Sequence, residues 1–452
     1  MYRRRSLAGP VVLIVLGVIF LLGNLGYVSW DRLGYLFARY WPVLIILWGL
    51  IRLVEHYDTQ RHGYRPRGLG FGGIMLLILL VMLGLGASSA WHYRGALNDE
   101  FFQFDDQSGF TIFGNSYSYT DELQQAFPAG ANLRVVSDRG DVQLVPWDEN
   151  SIKVSVQKKV VAASQSDADK VNLVTKPTIT IAGDQVTVNA NTNGASGHHR
   201  VDTNLEIYLP RKAAADIATA HGTVTVHERT GDLKISNSHG DVELGDIQGE
   251  VSVNMRTGSL RADDVKGDLS LNGRMDDVTI EKVQGNVRLS GDFFGTTHMA
   301  KIANSIHVQT SRTDMEIAKL GGELTLDSGD LHASSLAGPT RVVTKAKDIR
   351  LDDFTGNVHI EDNNSDIELT PGKLPLGNIQ ITNHRGRVQL VLPANAAFQL
   401  DAHATRGEIS SDFSGLNVEN RSHDSRATGT VGNGGPQIQL STERGDIEIR
   451  KG

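Results

Sequence analysis

Glycine recurs at nine-residue intervals, and this spacing constrains the fold of the chain more than any other feature. The positions are Gly222, Gly231, Gly240, Gly249, Gly258, Gly267 and Gly285, with Asp276 in the one missing place. A short, often acidic residue follows each one, and then apolar and polar residues alternate, as in GDLKI at 231–235. Such alternation is typical of a half-buried strand, and a bordering glycine permits a tight turn. Short strands at a fixed spacing predict a β-solenoid, whose coils bury their apolar faces only against one another.

Alternate nonads differ, so the predicted coil contains eighteen residues, two strands and two different corners. In one type a small polar residue follows the strand, at Ser236, Asn254, Asn272 and Ser290. In the other type an apolar residue precedes the next glycine, at Ile247, Val265, Val283, Leu320, Leu336 and Phe354. The pattern covers residues 222–369, with a slip at 291–297, and corresponds to about eight coils stacked at intervals of about 4.8 Å. We expect the Ser/Asn column to form hydrogen bonds along the stack, so that Asn272→Leu destabilises the protein by about 1–3 kcal/mol.

The alternation also assigns residues to the interior. The predicted inward side chains are Val224, Val226, Leu233, Ile235, Val242, Leu244, Val251, Val253, Leu269, Leu271, Val278, Ile280, Val287 and Leu289. An eighteen-residue coil places Val242 beside Leu260 and Val251 beside Leu269 inside the stack. It places Glu243 beside Arg261 on an outer face.

Composition excludes several classes of protein. The chain has no cysteine, which excludes disulfides, thiolate metal sites and thiol catalysis. Its net charge is −8, but the first 95 residues hold ten arginines and three acidic residues. The rest therefore holds 34 basic and 49 acidic residues, a net charge of −15. That sign argues against a nucleic-acid partner.

Two uncharged runs near the N-terminus are long enough to cross a membrane. They extend from Ser6 to Trp30 and from Gly68 to Tyr93, and a span needs about 20 residues. Between them, an apolar segment at 40–51 spans only if Arg39 and Arg52 extend to the interfaces, and a re-entrant or interfacial helix is the alternative. We predict helices at about 8–28, 35–54 and 69–91.

Arginine placement predicts the orientation. Arg3, Arg4 and Arg5 precede the first span, and Arg52, Arg61, Arg65 and Arg67 lie between the second and third spans. With three spans, both arginine-rich segments face the cytoplasm. The expectation is a multi-pass protein of the bacterial cytoplasmic (inner) membrane, with the lipid bilayer as a partner and a periplasmic or extracellular C-terminal domain.

Two parts of the chain resemble known bacterial families. The phrases GPVVLIVLGVIFLLGNLGY (9–27) and WPVLIILWGLIRL (41–53) resemble the membrane region of LiaI- and LiaF-like envelope-stress proteins. Residues from about 130 to 452 resemble an adhesin-type β-helix domain of unknown function, as in LRVVSDRGDVQLVPWD (133–148) and TERGDIEIRK (442–451). The resemblance implies an external β-helix in the cell envelope. LiaF-like proteins usually carry a different C-terminal domain, so their regulatory role does not follow directly.

These patterns divide the chain into a transmembrane region at 1–94, a spacer at 95–130 and an extracytoplasmic β-solenoid at 131–452. Within the solenoid we expect a short helix at 164–174, strands at 178–182, 185–190 and 203–209, and a mobile loop at 411–436.

No metal or cofactor site is predicted. Calcium-binding nonad solenoids need more than one glycine per nonad, so the Asp after each glycine is interpreted as a turn residue. His221 and His239 are eighteen residues apart, but the next positions in that column are Thr257 and Met275, which leaves zinc or copper without a third ligand. His198 and His199 are interpreted as loop residues.

No catalytic residue is predicted either. The acid pairs Asp263–Asp264, Asp276–Asp277 and Asp352–Asp353 are neighbours in sequence, and adjacent strand residues point to opposite faces. We expect Lys282 to pair with Asp264 across one coil.

The sequence favours a non-enzymatic envelope protein that senses or regulates envelope stress through contacts with another membrane or envelope protein. The alternative is a structural or adhesive surface module that binds a polymer or protein. A more remote alternative is a polysaccharide-acting β-helix enzyme that uses the acid pairs.

Overall fold

The computed structural model describes residues 115–192 and 200–452. The chain divides into two compact units, residues 1–110 and 111–452, and the described residues belong to the second. The three expected membrane helices, residues 95–114 and the His198–His199 pair lie outside the described residues. In the described ranges, no helix is long and apolar enough to span a bilayer.

Strands with alternating burial build two sheets, numbered here in chain order and given in spatial order. The first sheet contains β1 (Asn115–Ala126), β4 (Ser151–Ala162), β7 (Arg200–Pro210), β3 (Val142–Trp147), β9 (Val224–Arg229), β11 (Val242–Ile247), β13 (Leu260–Val265), β15 (Val278–Val283), β17 (Thr297–Ile302), β20 (Leu320–Leu326), β21 (Asp330–Ser334), β23 (Asp348–Phe354), β25 (Ile367–Pro371), β27 (Val388–Leu392), β33 (Ile447–Lys451) and β29 (Ile409–Ser411).

The second sheet also extends along the stack of coils. It contains β5 (Thr178–Ala182), β6 (Gln185–Asn189), β2 (Asn132–Arg139), β8 (Ala215–His221), β10 (Leu233–His239), β12 (Val251–Met255), β14 (Leu269–Met275), β16 (Val287–Phe293), β18 (Ile306–Gln309), β19 (Thr313–Ile317), β22 (Thr340–Thr344), β24 (Val358–Asp362), β26 (Ile379–Arg385), β32 (Gln437–Arg444), β28 (Phe398–Arg406), β31 (Ser425–Val431) and β30 (Leu416–Glu419). The one described helix is α1 (Gln165–Val174).

Consecutive strands from β8 to β18 alternate between the two sheets, and equivalent strands pair in parallel. The register has the expected eighteen-residue offset, since Val242 lies opposite Leu260 and Val251 lies opposite Leu269. All fourteen side chains predicted to point inward are buried, in one apolar core shared by both sheets. Burial of each such side chain contributes about 1.5–3 kcal/mol before the entropy of ordering is subtracted.

One coil runs in the opposite direction to its neighbours. After β18 the chain turns back, because Thr310 N–H donates to Thr313 O at 2.8 Å and closes a hairpin. Strand β19 is antiparallel to β18 and β22, and β20 is antiparallel to β17 and β21. Alternating polarity does not encode chain direction, so the repeat pattern gives no sign of this reversal.

Three segments with local predictions lie at least partly within the described residues. The short helix is confirmed, and its N-cap Ser164 accepts a hydrogen bond from Asp167 N at 3.2 Å. Residues 115–126, inside the expected spacer, form strand β1, which is exposed on most of its length and therefore lacks an apolar period. The expected mobile loop at 411–436 contains the antiparallel strands β30, which is mostly exposed, and β31, whose Ser425 and Ala427 are buried.

Candidate binding surface on the second sheet

The repeat glycines form two columns at opposite corners of the coils. Gly222, Gly240 and Gly258 have φ values of 130°, 130° and 125°, which L side chains rarely adopt. A Cβ on Gly258 would also clash with the carbonyl oxygen of Gly240 in the preceding coil. The other column, Gly231, Gly249, Gly267 and Gly285, lacks positive φ but is packed equally closely against the preceding coil. Asp276 breaks the first column and is not among the positive-φ residues.

The acidic residue after the glycine joins neighbouring coils. Its carboxylate accepts the backbone N–H of the equivalent position one coil further on, at 2.8 Å for Asp241 and Ser259 and 2.7 Å for Asp268 and Asn286. The acceptors of this ladder are Asp141, Asp232, Asp241, Asp268, Asp277, Asp348, Asp366 and Asp446. The ladder was missed at the sequence level, although its signal was an acidic residue that directly follows several of the repeat glycines, as at Asp232, Asp241 and Asp268.

The Ser/Asn column stands in register but faces outward. Ser236, Asn254, Asn272 and Ser290 follow one another across adjacent strands. Asn272 is exposed, so the expected loss of 1–3 kcal/mol in Asn272→Leu has no buried partner to support it. The buried amide belongs to Asn237, the residue that follows Ser236. Its Nδ2 donates to Gly222 O at 3.0 Å and to Gly240 O at 3.1 Å.

The acid pairs are occupied by structural contacts. Asp264 and Asp353 have φ values of 55° and 52° at a corner of their coils, a conformation that Asp tolerates. The prediction that Lys282 pairs with Asp264 is wrong, because Lys282 Nζ lies 3.0 Å from Asp263 Oδ1 instead.

In the third pair, Asp352 receives two donors. Arg350 Nε lies 2.8 Å away and His332 Nε2 lies 3.1 Å away, both at its Oδ2. Burial pushes the pKa of Asp352 upward, but these donors outweigh burial and hold the pKa below its ordinary value.

His221 and His239 stack on adjacent coils, with ring centroids 4.8 Å apart and planes within 9°. Burial, with a smaller effect from the Arg139 charge, lowers the pKa of His221. His239 Nδ1 is buried without a hydrogen-bond partner. Within the described ranges, no group of three or more His, Cys, Asp or Glu residues is placed to hold a metal ion.

The outer face of the second sheet carries a groove of about 720 Å³ that crosses six strands, from β16 to β26. Outward side chains of adjacent strands form its floor in the order Arg288, His307, Glu316, Arg341 and His359. Its centre lies on the reversed coil, whose strand β19 supplies Glu316.

Arginine, histidine and acidic side chains are close together in and beside this groove. His307 Nδ1 lies 3.3 Å from Glu316 Oε1, and His359 Nε2 lies 2.8 Å from Glu361 Oε1. Arg341 Nη1 lies 3.1 Å from Asp314 Oδ2. Arg288 is exposed and forms no ion pair with any residue that the structure describes. The arrangement suits recognition of a polar surface of mixed charge, since complementary charges fix register and partner choice.

Two family matches cover separate parts of the chain. Residues 8–96 match the LiaF transmembrane domain, and residues 271–450 match the Toastrack DUF4097 domain. The resemblance seen in the sequence is therefore confirmed in both parts. The LiaF match associates the chain with a membrane. No curated protein matches it.

Solved structures with similarity to the chain include three bacterial proteins. A "putative cell adhesion protein" from Clostridium sporogenes is 11% identical, with 74% of this chain and 100% of that chain covered and a TM-score of 0.18. A "putative adhesin" from Bacteroides fragilis is 8% identical, with 73% and 97% covered and a TM-score of 0.18. Another from Parabacteroides distasonis is 12% identical, with 74% and 97% covered and a TM-score of 0.17.

Proposed function

We propose that this chain, a LiaF-type membrane region joined to a Toastrack β-domain, is a non-enzymatic sensor or regulator of envelope stress. Its N-terminal region sits in the cytoplasmic membrane as a three-span unit. The β-domain lies outside and contacts another membrane or envelope protein through the groove on the second sheet. The observation that carries this proposal is that groove, a mixed-charge surface on a chain with a LiaF-type membrane region.

The groove has the chemistry of a protein contact surface. Arginine is enriched at protein interfaces, and Arg288 and Arg341 lie on the same row of the sheet. Arg288 keeps its guanidinium available for a carboxylate on the partner. The occupied acid pairs favour a binding role over hydrolysis, because Asp263 and Asp352 already pair with cations.

Charge reversal in the groove tests the proposal. The double variant Arg288→Glu, Arg341→Glu places like charges beside Asp314 and Glu316, and should reduce the transcriptional response to a cell-wall antibiotic severalfold in the native bacterium. Arg261→Glu, on the outer face of the first sheet, is the matched control and should respond as wild type. A normal response in the double variant contradicts the regulatory role of the groove.

The same experiment addresses the adhesive alternative, which is favoured by the length of the polar face across six strands. An adhesive module predicts an intact transcriptional response together with weaker attachment of the variant cells to envelope polymer or to a surface. A variant that is normal in both assays removes the groove from either function.

A further inference from the structure

A second concave site lies where the nine-residue pattern slips. Four loops meet at one corner of the stack: 294–296 after β16, the hairpins 310–312 and 327–329 at the two ends of the reversed coil, and 345–347 after β22. They enclose about 320 Å³. Because two of these loops exist only through the reversal, a regular solenoid would not contain this pocket.

A buried ammonium lies in the wall of the pocket. Lys347 is 6% exposed, and its Nζ donates to the carbonyl oxygen of Asp327. No carboxylate of a described residue forms an ion pair with it; Asp327 and Asp330 attract it only at longer range. Burial lowers the pKa of Lys347. A lysine ammonium has three donors, so two N–H groups of a buried charge remain available for an anionic ligand.

Other donors surround the same space. Thr297 and Thr313 are 0% and 2% exposed, line the pocket, and have hydroxyl oxygens without any hydrogen-bond partner among the described residues. Arg312 is exposed on the lining and forms no ion pair with a described residue. The two hydroxyl oxygens are closed off from solvent, so they belong to the wall of the pocket, and Arg312 is the donor that faces the open space.

The acids of the pocket do not cancel these donors. The carboxylate of Asp327 accepts the backbone N–H groups of Gly329 and Asp330, both at 2.8 Å, within its own hairpin. Asp292 lies opposite Arg274 in the pairing of β14 with β16. Neither Lys347 nor Arg312 forms an ion pair with a described residue, so both cations can still pair with the anionic group of a ligand.

An aromatic ring also borders the pocket. Phe294 is 67% exposed, while the adjacent Phe293 packs against the apolar core. An exposed aromatic face beside hydrogen-bond donors suits a ring that is apolar on its flat face and polar at its edge. A sugar ring has this character.

We propose that the pocket binds an acidic sugar unit of an envelope polymer, with its carboxylate or phosphate against Lys347 and Arg312 and its ring against Phe294. The guanidinium of Arg312 matches either oxyanion in a bidentate geometry. This inference rests on the proposed function only in placing the β-domain outside the membrane. It does not depend on the groove or on the partner proposed to bind there.

Calorimetric titration of the full-length protein in detergent tests the site with four probes: glucuronic acid, glucose 6-phosphate, glucose and inorganic phosphate. We expect saturable binding of at least one acidic sugar, at least tenfold tighter than glucose or free phosphate. Whichever acidic sugar binds more tightly shows whether the site prefers a carboxylate or a phosphate. Equal affinity for inorganic phosphate, or no saturable binding of either acidic sugar, overturns the proposal.

Three variants and a control locate the binding. Lys347→Met, Arg312→Gln and Phe294→Ala should each weaken the preferred acidic sugar at least tenfold. Lys319→Met, an exposed lysine at the opposite corner of the reversed coil, should bind as wild type. Arg312 and Phe294 are exposed, so their variants test the site even if Lys347→Met does not fold. Unchanged affinity in these variants contradicts the assignment, and the stress response of the groove variants is scored independently.

Discussion

Replacement of Gly258 by alanine should lower the free energy of unfolding by about 2–4 kcal/mol. Its φ of 125° imposes strain on any L side chain, which costs about 1–3 kcal/mol. The new Cβ would also displace the carbonyl of Gly240, which accepts a 3.1 Å hydrogen bond from the buried Asn237. Weakening that bond adds about 1 kcal/mol.

Urea unfolding of the full-length protein, followed by circular dichroism of the β-sheet, measures this loss. Two other glycine variants separate the contribution of backbone strain from that of the steric clash. Gly130→Ala has φ of 78° but open space around the new Cβ, so it carries strain without a clash. Gly329→Ala has neither a positive φ nor a close neighbour and should be nearly neutral. If Gly258→Ala is no more destabilising than Gly130→Ala, the close stacking of glycine corners is refuted.

Three further outcomes are expected. In urea unfolding, Asn237→Ala should cost about 1–3 kcal/mol because it leaves the part-buried carbonyls of Gly222 and Gly240 without the amide donor, whereas Asn272→Leu on the outer face should cost under about 0.5 kcal/mol. The stability difference between wild type and Asp352→Asn should be largest at neutral pH. Because the folded-state pKa of Asp352 lies below its ordinary 3.8, titrations of stability should show this difference vanish as the pH falls through the lowered value. A reporter active only in the cytoplasm, fused after Arg94, should be silent, and strong activity would contradict the three-span topology.

The register of the coils could be predicted because two independent signals agree. Apolar alternation assigned Val242 and Val251 to the interior, and the eighteen-residue period assigned their neighbours Leu260 and Leu269. A slip by one residue would turn every such side chain to the outside, so burial fixes the register strongly.

Chain direction and edge strands could not be predicted on the same basis. The alternation of apolar and polar residues in β19 is the same in either chain direction. The reversal of this strand depends on the hairpin closed by Thr310 and Thr313. Strand β1 is exposed on most of its length, so no apolar period marks it. The pocket that contains Lys347 exists because the coil is reversed. A sequence analysis that misses the reversal therefore also misses the pocket. Asn237 was missed because the outward Ser/Asn column beside it has the clearer period.

The absence of native cysteine allows a direct test of the reversed coil. His307 and Glu316 lie opposite each other on β18 and β19, and both side chains point outward. Cysteines at these positions should form a disulfide on mild oxidation of the full-length protein in membranes, because directly opposed strand residues satisfy the required geometry. In an uninterrupted coil, position 307 would instead neighbour position 325, eighteen residues on. Mass spectrometry should find the 307–316 crosslink and no crosslink in a 307–325 pair; the opposite result would contradict the reversed coil and the pocket built on it.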